Sequence, residues 1–399
     1  MTRHSRLRVG FLTPFGLSGR GTVPHRVLPM ALALRQMGVD VRIVVVDWEA
    51  SPSRVYRHQF IQEGVELIVV PPPFSRAGLW GVRREASDFL LHSAASRLLL
   101  DWKPDVVHLV KPVRFTWDLL MNLRFPPFHR LFRAVSRVRV VLDCDDWELA
   151  WWRRQGKGRI KQALLGLAER LAWQGADVVT VASHFLYEQV SKVRSPSQVH
   201  YVPNIPWPWP PRTAPLHSRR ILIPTRLLDI APEVLGTWLR PLVHRLPRAH
   251  ILIVGPQGEQ LQSMAQVLQA YGLRDQVALL QWQPVEQYMN LLAHTRLGLY
   301  LVEDTEVAWA KCPARLVQMM AAGIPVVAVD VGEARHLLGD TGVLVPPSPD
   351  ALAEAVSDLW HDAFRLQTLG RAALHRAQSE YSLQRLGERL LRAYGESKE

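Results

Sequence analysis

Cysteine is scarce in this chain of 399 residues, occurring only as Cys144 and Cys312. Two isolated thiols cannot build a disulfide framework, and neither has the clustered neighbours a structural zinc site needs. Apolar runs long enough to cross a bilayer are lacking too. Met1 to Arg8 leads straight into an apolar strand-like segment, without the apolar core and small-residue cleavage site of a secretory leader. These absences predict a cytoplasmic protein, free or held peripherally on the inner face of a membrane. Solenoid repeats and low-complexity segments are missing as well. Hydrophobic types make up 48% and charged types 21%, which excludes disordered, collagen-like and coiled-coil chains. The length suits two domains of roughly 200 residues each.

Acidic residues are short in only one half. Residues 1–210 hold 29 Lys+Arg against 17 Asp+Glu, which accounts for the whole net charge of +12. The remaining 19 cations and 19 acids cancel. Such a basic half favours anionic partners such as acidic lipid, nucleic acid or phosphorylated substrates, or simply keeps the chain soluble.

What is present is an alternation of strands and helices. Val9–Leu12, Val41–Val46, Val65–Val70, Asp105–Val110, Val138–Leu142 and Asp177–Val181 are apolar runs rich in β-branched residues. Runs of that kind suit strands covered on both faces of a parallel sheet. After the first of them a Gly-containing loop precedes a helical pattern at Val27, Met30, Ala31, Leu34 and Met37, stopped by Gly38. The proline-rich stretch from Val202 to Pro211 breaks the alternation and reads as a stiff linker. Strands then resume at 221–223, 250–254, 277–280, 297–302, 326–329 and 343–345, with helices at 232–245, 259–271, 350–372 and 383–394 and one opened by Pro313. The expected fold is α/β, with two Rossmann-like domains facing each other across a cleft. Expected bounds are 1–205 for the first domain, 206–219 for the linker, 220–380 for the second domain and 381–399 for a last helix. Ligands of open parallel sheets bind at the carboxyl ends of the strands.

In the second half those ends carry an anion-binding set. Arg226 follows the strand 221–223, and a guanidinium fork matches two phosphate oxygens. Gly255-Pro256-Gln257-Gly258 opens a helix whose free amides can face an anion, although an ordinary turn would look the same. Pro313 suits the first position of a helix. Lys311 then lies at the positive end of that helix dipole, a poor place for a cation unless an anion neutralises it. Arg315 and Gln318, three residues apart, share its face. A solvated basic helix start is the plainer alternative.

The segment from Lys311 to Ala328 resembles the donor-site helix of the retaining glycosyltransferases of family 4, which have two Rossmann-like domains of the GT-B type. Similar segments run along nearly the whole chain: Gly19 to Gly21, Pro104 to His108, Ala176 to Val179, Val202 to Asn204, Thr225 to Leu227, the loop from Gly255, and Gly342 to Pro347. The helix beginning near Tyr381 looks like the family's crossover helix. The resemblance implies a nucleotide-diphosphate sugar as donor, bound by the second domain, and a sugar, lipid-linked or small-molecule acceptor bound by the first. Arg226 would grip the diphosphate, and Gln318 would stand where a carboxylate contacts the ribose. Gly19 and Gly21 would let the first loop approach the donor. Retention would proceed at the front face, so no nucleophile, metal or other cofactor would be needed. Departures are Thr225 for a glycine, Ala231 for a lysine, and Ala310 and Gln318 for paired glutamates. Lys311 or Arg315 could supply the missing charge.

In the first half, His108 ends a strand just before Lys111. It could contact the sugar or the acceptor hydroxyl at the reacting centre, together with Arg226 and Lys311, or be a buried, satisfied histidine. Lys111, Asp145 and Asp146 are the candidate acceptor residues, the two carboxylates orienting a hydroxyl or taking its proton. Either carboxylate could instead cap a helix. Trp147 to Lys161 interleaves aromatics with cations, as do Phe125 to Arg133 and Leu79 to Arg84. That pattern reads as a face for an acidic membrane surface. With no nucleic-acid motif beside it, nucleic acid is not an expected partner, and a solvated face with partly buried tryptophans is the alternative. Two other functions stay open: a non-catalytic nucleotide-sugar or partner-binding module, and a nucleotide-sugar epimerase of similar fold.

Overall fold

A computed structural model describes residues 6–14, 16, 21–47, 51, 53, 57–61, 64–72, 82–112, 116, 118–120, 123, 138–212 and 218–396. The chain forms two units, Met1–Pro203 with Leu383–Glu399, and Asn204–Ser382.

The first unit is built on an eight-stranded sheet: β1 Arg8–Thr13, β2 Asp40–Val46, β3 Arg57–Ile61, β4 Val65–Val70, β5 Val106–Val110, β6 Arg139–Cys144, β7 Val178–Val181 and β8 Val199–Tyr201. Their spatial order is β3-β4-β2-β1-β5-β6-β7-β8. Every pairing is parallel except β3 on β4. The apolar runs found in the sequence are the central strands, and Val9, Phe11, Ile43, Val44, Val107 and Val141 are fully enclosed. Burial of both faces is what their unbroken hydrophobicity requires. The two strands not expected are β3 and β8. Both lie at edges, where pairing on one side and short length relax the need for an apolar run.

The first helix also differs from expectation. Val23–Val27 is a π-helical turn that runs into the α-helix Leu28–Gln36, and the Leu28 N–H reaches back to the Val23 carbonyl. Pro29 has no N–H with which to close an α-type bond, so the wider turn costs little there. The last helix, Leu383–Ala393, belongs to this unit and packs on Leu28–Gln36 through Leu386, Gly387, Leu390 and Leu391.

The second unit has a six-stranded, wholly parallel sheet: β9 Arg220–Pro224, β10 His250–Val254, β11 Val277–Leu280, β12 Leu297–Tyr300, β13 Val326–Val329 and β14 Val343–Val345. The order is β11-β10-β9-β12-β13-β14. The chain therefore winds outward one way from β9, returns, and winds the other way from β12. Helix Pro232–Arg245 packs on Pro349–His361, and Ala314–Ala321 on Ala363–Glu380. Two expectations change here. The proline-rich segment is not a separate linker from 206, because Asn204 donates to the Cys312 carbonyl (2.7 Å) and Trp207 lends its carbonyl to Gln318 (3.2 Å). Pro313 caps the helix Ala314–Ala321 from outside rather than opening it, with ψ near 99°.

Candidate functional site

The switch between β9 and β12 defines where the second unit gathers its polar loops, since flanking crossovers leave in opposite directions there. The loop after β9 is a tight turn in which the Thr225 hydroxyl accepts the Leu227 N–H (3.0 Å) and Leu227 adopts φ 58°. The next loop presses against it. Gly255 has φ 124°, and a Cβ there would stand 2.5 Å from the Thr225 carbonyl oxygen. No other residue type fits that approach. Arg226 projects from this turn, exposed, and the helix Gly258–Ala270 beyond Gly255 begins with no side chain capping its amides. A guanidinium and an uncapped helix start thus rise from adjacent strand ends, a combination suited to a phosphate group.

The segment between β12 and β13 is fastened to the same place. Glu303 donates its N–H to the Asp229 carbonyl (2.9 Å), and its carboxylate accepts the Ala231 N–H (2.9 Å). Lys311 binds Asp229 through Nζ at 2.5 Å. Lys311 thus meets a carboxylate of the protein itself at the helix start, where the sequence suggested an incoming anion. Arg315 lies 4.0 Å over the Tyr288 ring and donates to Gln318 Oε1 (3.1 Å). Gln318 is buried, its amide turned to Trp207 and not to open surface. Gly255 therefore packs on Thr225 beside Arg226, and Lys311 is tied to Asp229 three residues on, whereas Arg315 and Gln318 are engaged with the neighbouring scaffold.

In the first unit the strand ends carry a different arrangement. His108, in β5, is wholly enclosed, stacked 4.8 Å from Phe11, with Nδ1 2.7 Å from the Tyr394 hydroxyl. Burial lowers its pKa to about 4, with Arg26 adding to the effect and Asp143 opposing it, so the ring is neutral near pH 7. His108 is thus buried and hydrogen-bonded within the first unit. Beside it, Arg26 from the π-helical turn forms a fork on Asp143, at 3.0 and 2.7 Å, and donates to the Val202 carbonyl at 2.7 Å. Thr180 donates to the same carboxylate at 2.7 Å. Burial works against the Asp143 charge, but Arg26 outweighs it and holds the pKa below the ordinary value.

Lys111 follows β5 with φ 64°, and its Nζ lies 2.5 Å from Asp146 and 3.4 Å from both Asp145 and Glu148. Burial disfavours its charge, yet the three carboxylates raise its pKa well above normal. Burial pushes Asp145 up to about 7, against the pull of Lys111. Neither aspartate caps a helix. The helix Glu148–Arg154 is held instead by Glu169, whose Oε1 accepts the Glu148 N–H at 3.0 Å. Burial raises that carboxyl to about 8. Lys111, Asp145 and Asp146 do assemble, as one internally paired cluster. Gly21 lies just before the π-helical turn, while Gly19 falls outside the described residues.

Sequence reading missed Arg26, Tyr394, Glu169, Asp229 and Glu303. Only Arg26 left a signal, a cation on the apolar stripe of Val23, Val27 and Met30. Trp147, Trp151 and Trp152 are half-buried, and Trp147 packs 5.5 Å from Phe185 under the Arg153 guanidinium, so these rings do not form an open aromatic face. The segment Phe125 to Arg133 lies outside the described residues. Among the described residues no group of His, Cys, Asp and Glu is placed to hold a metal ion, and no helix is long and apolar enough to cross a membrane.

Comparison with known proteins agrees with this architecture. Residues 225–362 match the family "Glycosyl transferases group 1", and residues 21–205 match the "Glycosyl transferase 4-like domain". The phosphatidyl-myo-inositol mannosyltransferase of Mycobacterium leprae is 26% identical over 97% of this chain and 96% of its own. Among solved structures, sucrose-phosphate synthase from Thermosynechococcus elongatus superposes with TM-score 0.72 at 16% identity, covering 98% of both chains. Alr3699/HepE of Anabaena, solved with UDP and glucose, does so with TM-score 0.69 at 15% identity over 98% of this chain and 100% of its own.

Proposed function

The chain belongs to the group 1 glycosyltransferases with a 4-like first domain and the GT-B fold, and from that membership we propose a retaining, metal-independent hexosyltransferase that uses a nucleotide-diphosphate sugar and a lipid-linked acceptor. The observation that carries the donor side is the exposed Arg226 on a turn locked against Gly255, next to an uncapped helix start. Arg226 and those amides hold the diphosphate oxygens. Negative charge builds on the diphosphate as its bond to the anomeric carbon breaks, and fixed donors stabilise that charge more than the ground state. The acceptor hydroxyl attacks from the face the diphosphate leaves, and its proton passes to the departing diphosphate oxygen. No protein nucleophile takes part, and charge neutralisation by Arg226 removes the need for a divalent ion. Lys311, held by Asp229, completes the positive rim.

The lipid-linked acceptor rests on likeness to the mycobacterial phosphatidylinositol mannosyltransferases and on the basic first half of the chain. In the first unit, Asp145 and Asp146, fixed by Lys111, are the polar groups available to orient an acceptor hydroxyl. One observation favours a second reading, a module that binds without transfer: Ala231 and the buried Gln318 stand where the resemblance places a lysine and a carboxylate. Incubation with a panel of nucleotide sugars and a lipid extract, with chelator present, separates the two. Transfer, or slow donor hydrolysis, with an anomeric proton unchanged in configuration by NMR supports the enzyme. Binding without turnover supports the module, inverted product removes the front-face route, and loss of activity on chelation removes metal independence.

A further inference from the structure

The half-buried tryptophans leave the excess charge of the first unit without an apolar companion, and the helix that follows them supplies one. In Arg159–Gly175 the side chains of Ile160, Leu164, Leu167 and Leu171 are 79%, 62%, 55% and 39% exposed. Spacings of four, three and four residues place them in one narrow stripe, running about 16 Å along the axis at about 1.5 Å per residue. Ala172, Trp173 and Glu169 occupy the opposite, buried face. Soluble proteins rarely leave such a stripe open without a use for it.

Charge identifies the use. On the helical wheel Lys161 borders the stripe on one side, and Arg159 and Arg170 border it on the other. All three are exposed, as are Arg153, Arg154 and Lys157 just before the helix. From residue 153 to 175 the only acid is Glu169, which is buried. Aliphatic side chains between two rows of cations, with no exposed acid, fit an anionic lipid surface. The aliphatic groups enter the boundary between headgroups and acyl chains while the cations stay among phosphates. A second copy of the chain fits poorly, since a stable homodimer buries about 800 Å² on each side and would oppose these like charges.

We propose that the helix Arg159–Gly175 lies in the plane of an anionic membrane and seats the first unit on it through Ile160, Leu164, Leu167 and Leu171. The inference takes its purpose from the proposed lipid-linked acceptor: an enzyme held at the surface finds such an acceptor in two dimensions.

The test is flotation of the full chain with vesicles of phosphatidylcholine containing one third phosphatidylglycerol, at low salt. The wild-type chain is expected to float, and to do so less as salt rises. Leu164→Glu/Leu167→Glu should weaken binding at least about tenfold, because two aliphatic contacts are lost and two like charges are added. Lys161→Gln/Arg170→Gln should bind more weakly and with a shallower salt dependence. Both pairs are exposed, so thermal midpoint and circular dichroism should stay at the wild-type values. Absence of flotation by the wild-type chain, or equal flotation by the Leu164→Glu/Leu167→Glu variant, overturns the proposal. So does a wild-type dimer that this variant converts to a monomer, which would make the stripe an interface between copies. Donor hydrolysis, followed in parallel, should be the same in all three proteins. Its absence from all of them would count against the transferase reading and leave the flotation result standing.

Discussion

The strand ends of the two units carry comparable charged groups and use them in opposite ways. In the first unit Arg26 and Asp143 bind each other out of contact with water, and the buried Lys111 binds the partly exposed Asp145, Asp146 and Glu148. In the second unit Arg226 is exposed on its turn, and Lys311 is only partly covered with Asp229. A buried pair whose partners hold each other fixes geometry. A cation at the surface costs little to keep and remains available to an anion. The first unit's charged strand ends are thus held by one another, while the second keeps a cation exposed at the end of β9.

Breaking the first unit's arrangement should have the largest effect. Arg26→Met leaves the Asp143 carboxylate enclosed with Thr180 and a neutral His108, and should cost about 3–5 kcal/mol in urea unfolding. Arg26→Met/Asp143→Leu should recover much of it. A loss below about 1 kcal/mol for the single variant would show that water reaches the pair and would dissolve the contrast between the units.

The second unit should answer in binding rather than stability. Arg226→Ala is expected to lower nucleoside-diphosphate affinity by calorimetry about 10–100-fold, the equivalent of 1.5–3 kcal/mol for charged hydrogen bonds. Its unfolding free energy should stay within about 0.5 kcal/mol. Lys111→Ala should do the reverse, destabilising the chain and leaving nucleotide affinity alone. Unchanged affinity in Arg226→Ala would remove the donor site from the end of β9.

A pH dependence probes the enclosure of the first unit. Burial raises the Glu169 pKa from 4.5 to about 8, so between those values the folded chain keeps a proton that the unfolded chain releases. Stability contributed by this group is present at low pH and falls as pH rises through that window. Glu169→Gln should flatten the decline in unfolding free energy between about pH 5 and about pH 8, by on the order of 1 kcal/mol per pH unit. An identical decline in the variant would mean that Glu169 is not protonated in the folded chain.

Much of this was legible in the residues. Runs such as Val41–Val46 and Val326–Val329 can be satisfied only by burial on both faces, so two parallel sheets follow from them. Edge strands β3 and β8 were not legible, because pairing at an edge imposes no apolar pattern. The unlike behaviour of Arg226 and Arg315 was equally hidden, since both read as cations near strand ends. Tyr288, 27 residues before Arg315, decides what that guanidinium does. The membrane stripe was half visible: the sequence marked the basic stretch up to Lys161, but which apolar residues remain uncovered depends on which face of the next helix the sheet takes.

By itself the sequence determined the two α/β units, the strands at their centres and the concentration of positive charge in the first half. These follow from periodicity and composition, which act over a few neighbouring residues. Only the tertiary structure decided that His108 is enclosed by Phe11 and Tyr394, that Lys111 is occupied by three carboxylates, and that Ile160, Leu164, Leu167 and Leu171 face outward. Whether a group is charged, paired or exposed depends on what surrounds it, and its surroundings come from parts of the chain as distant as residues 108 and 394.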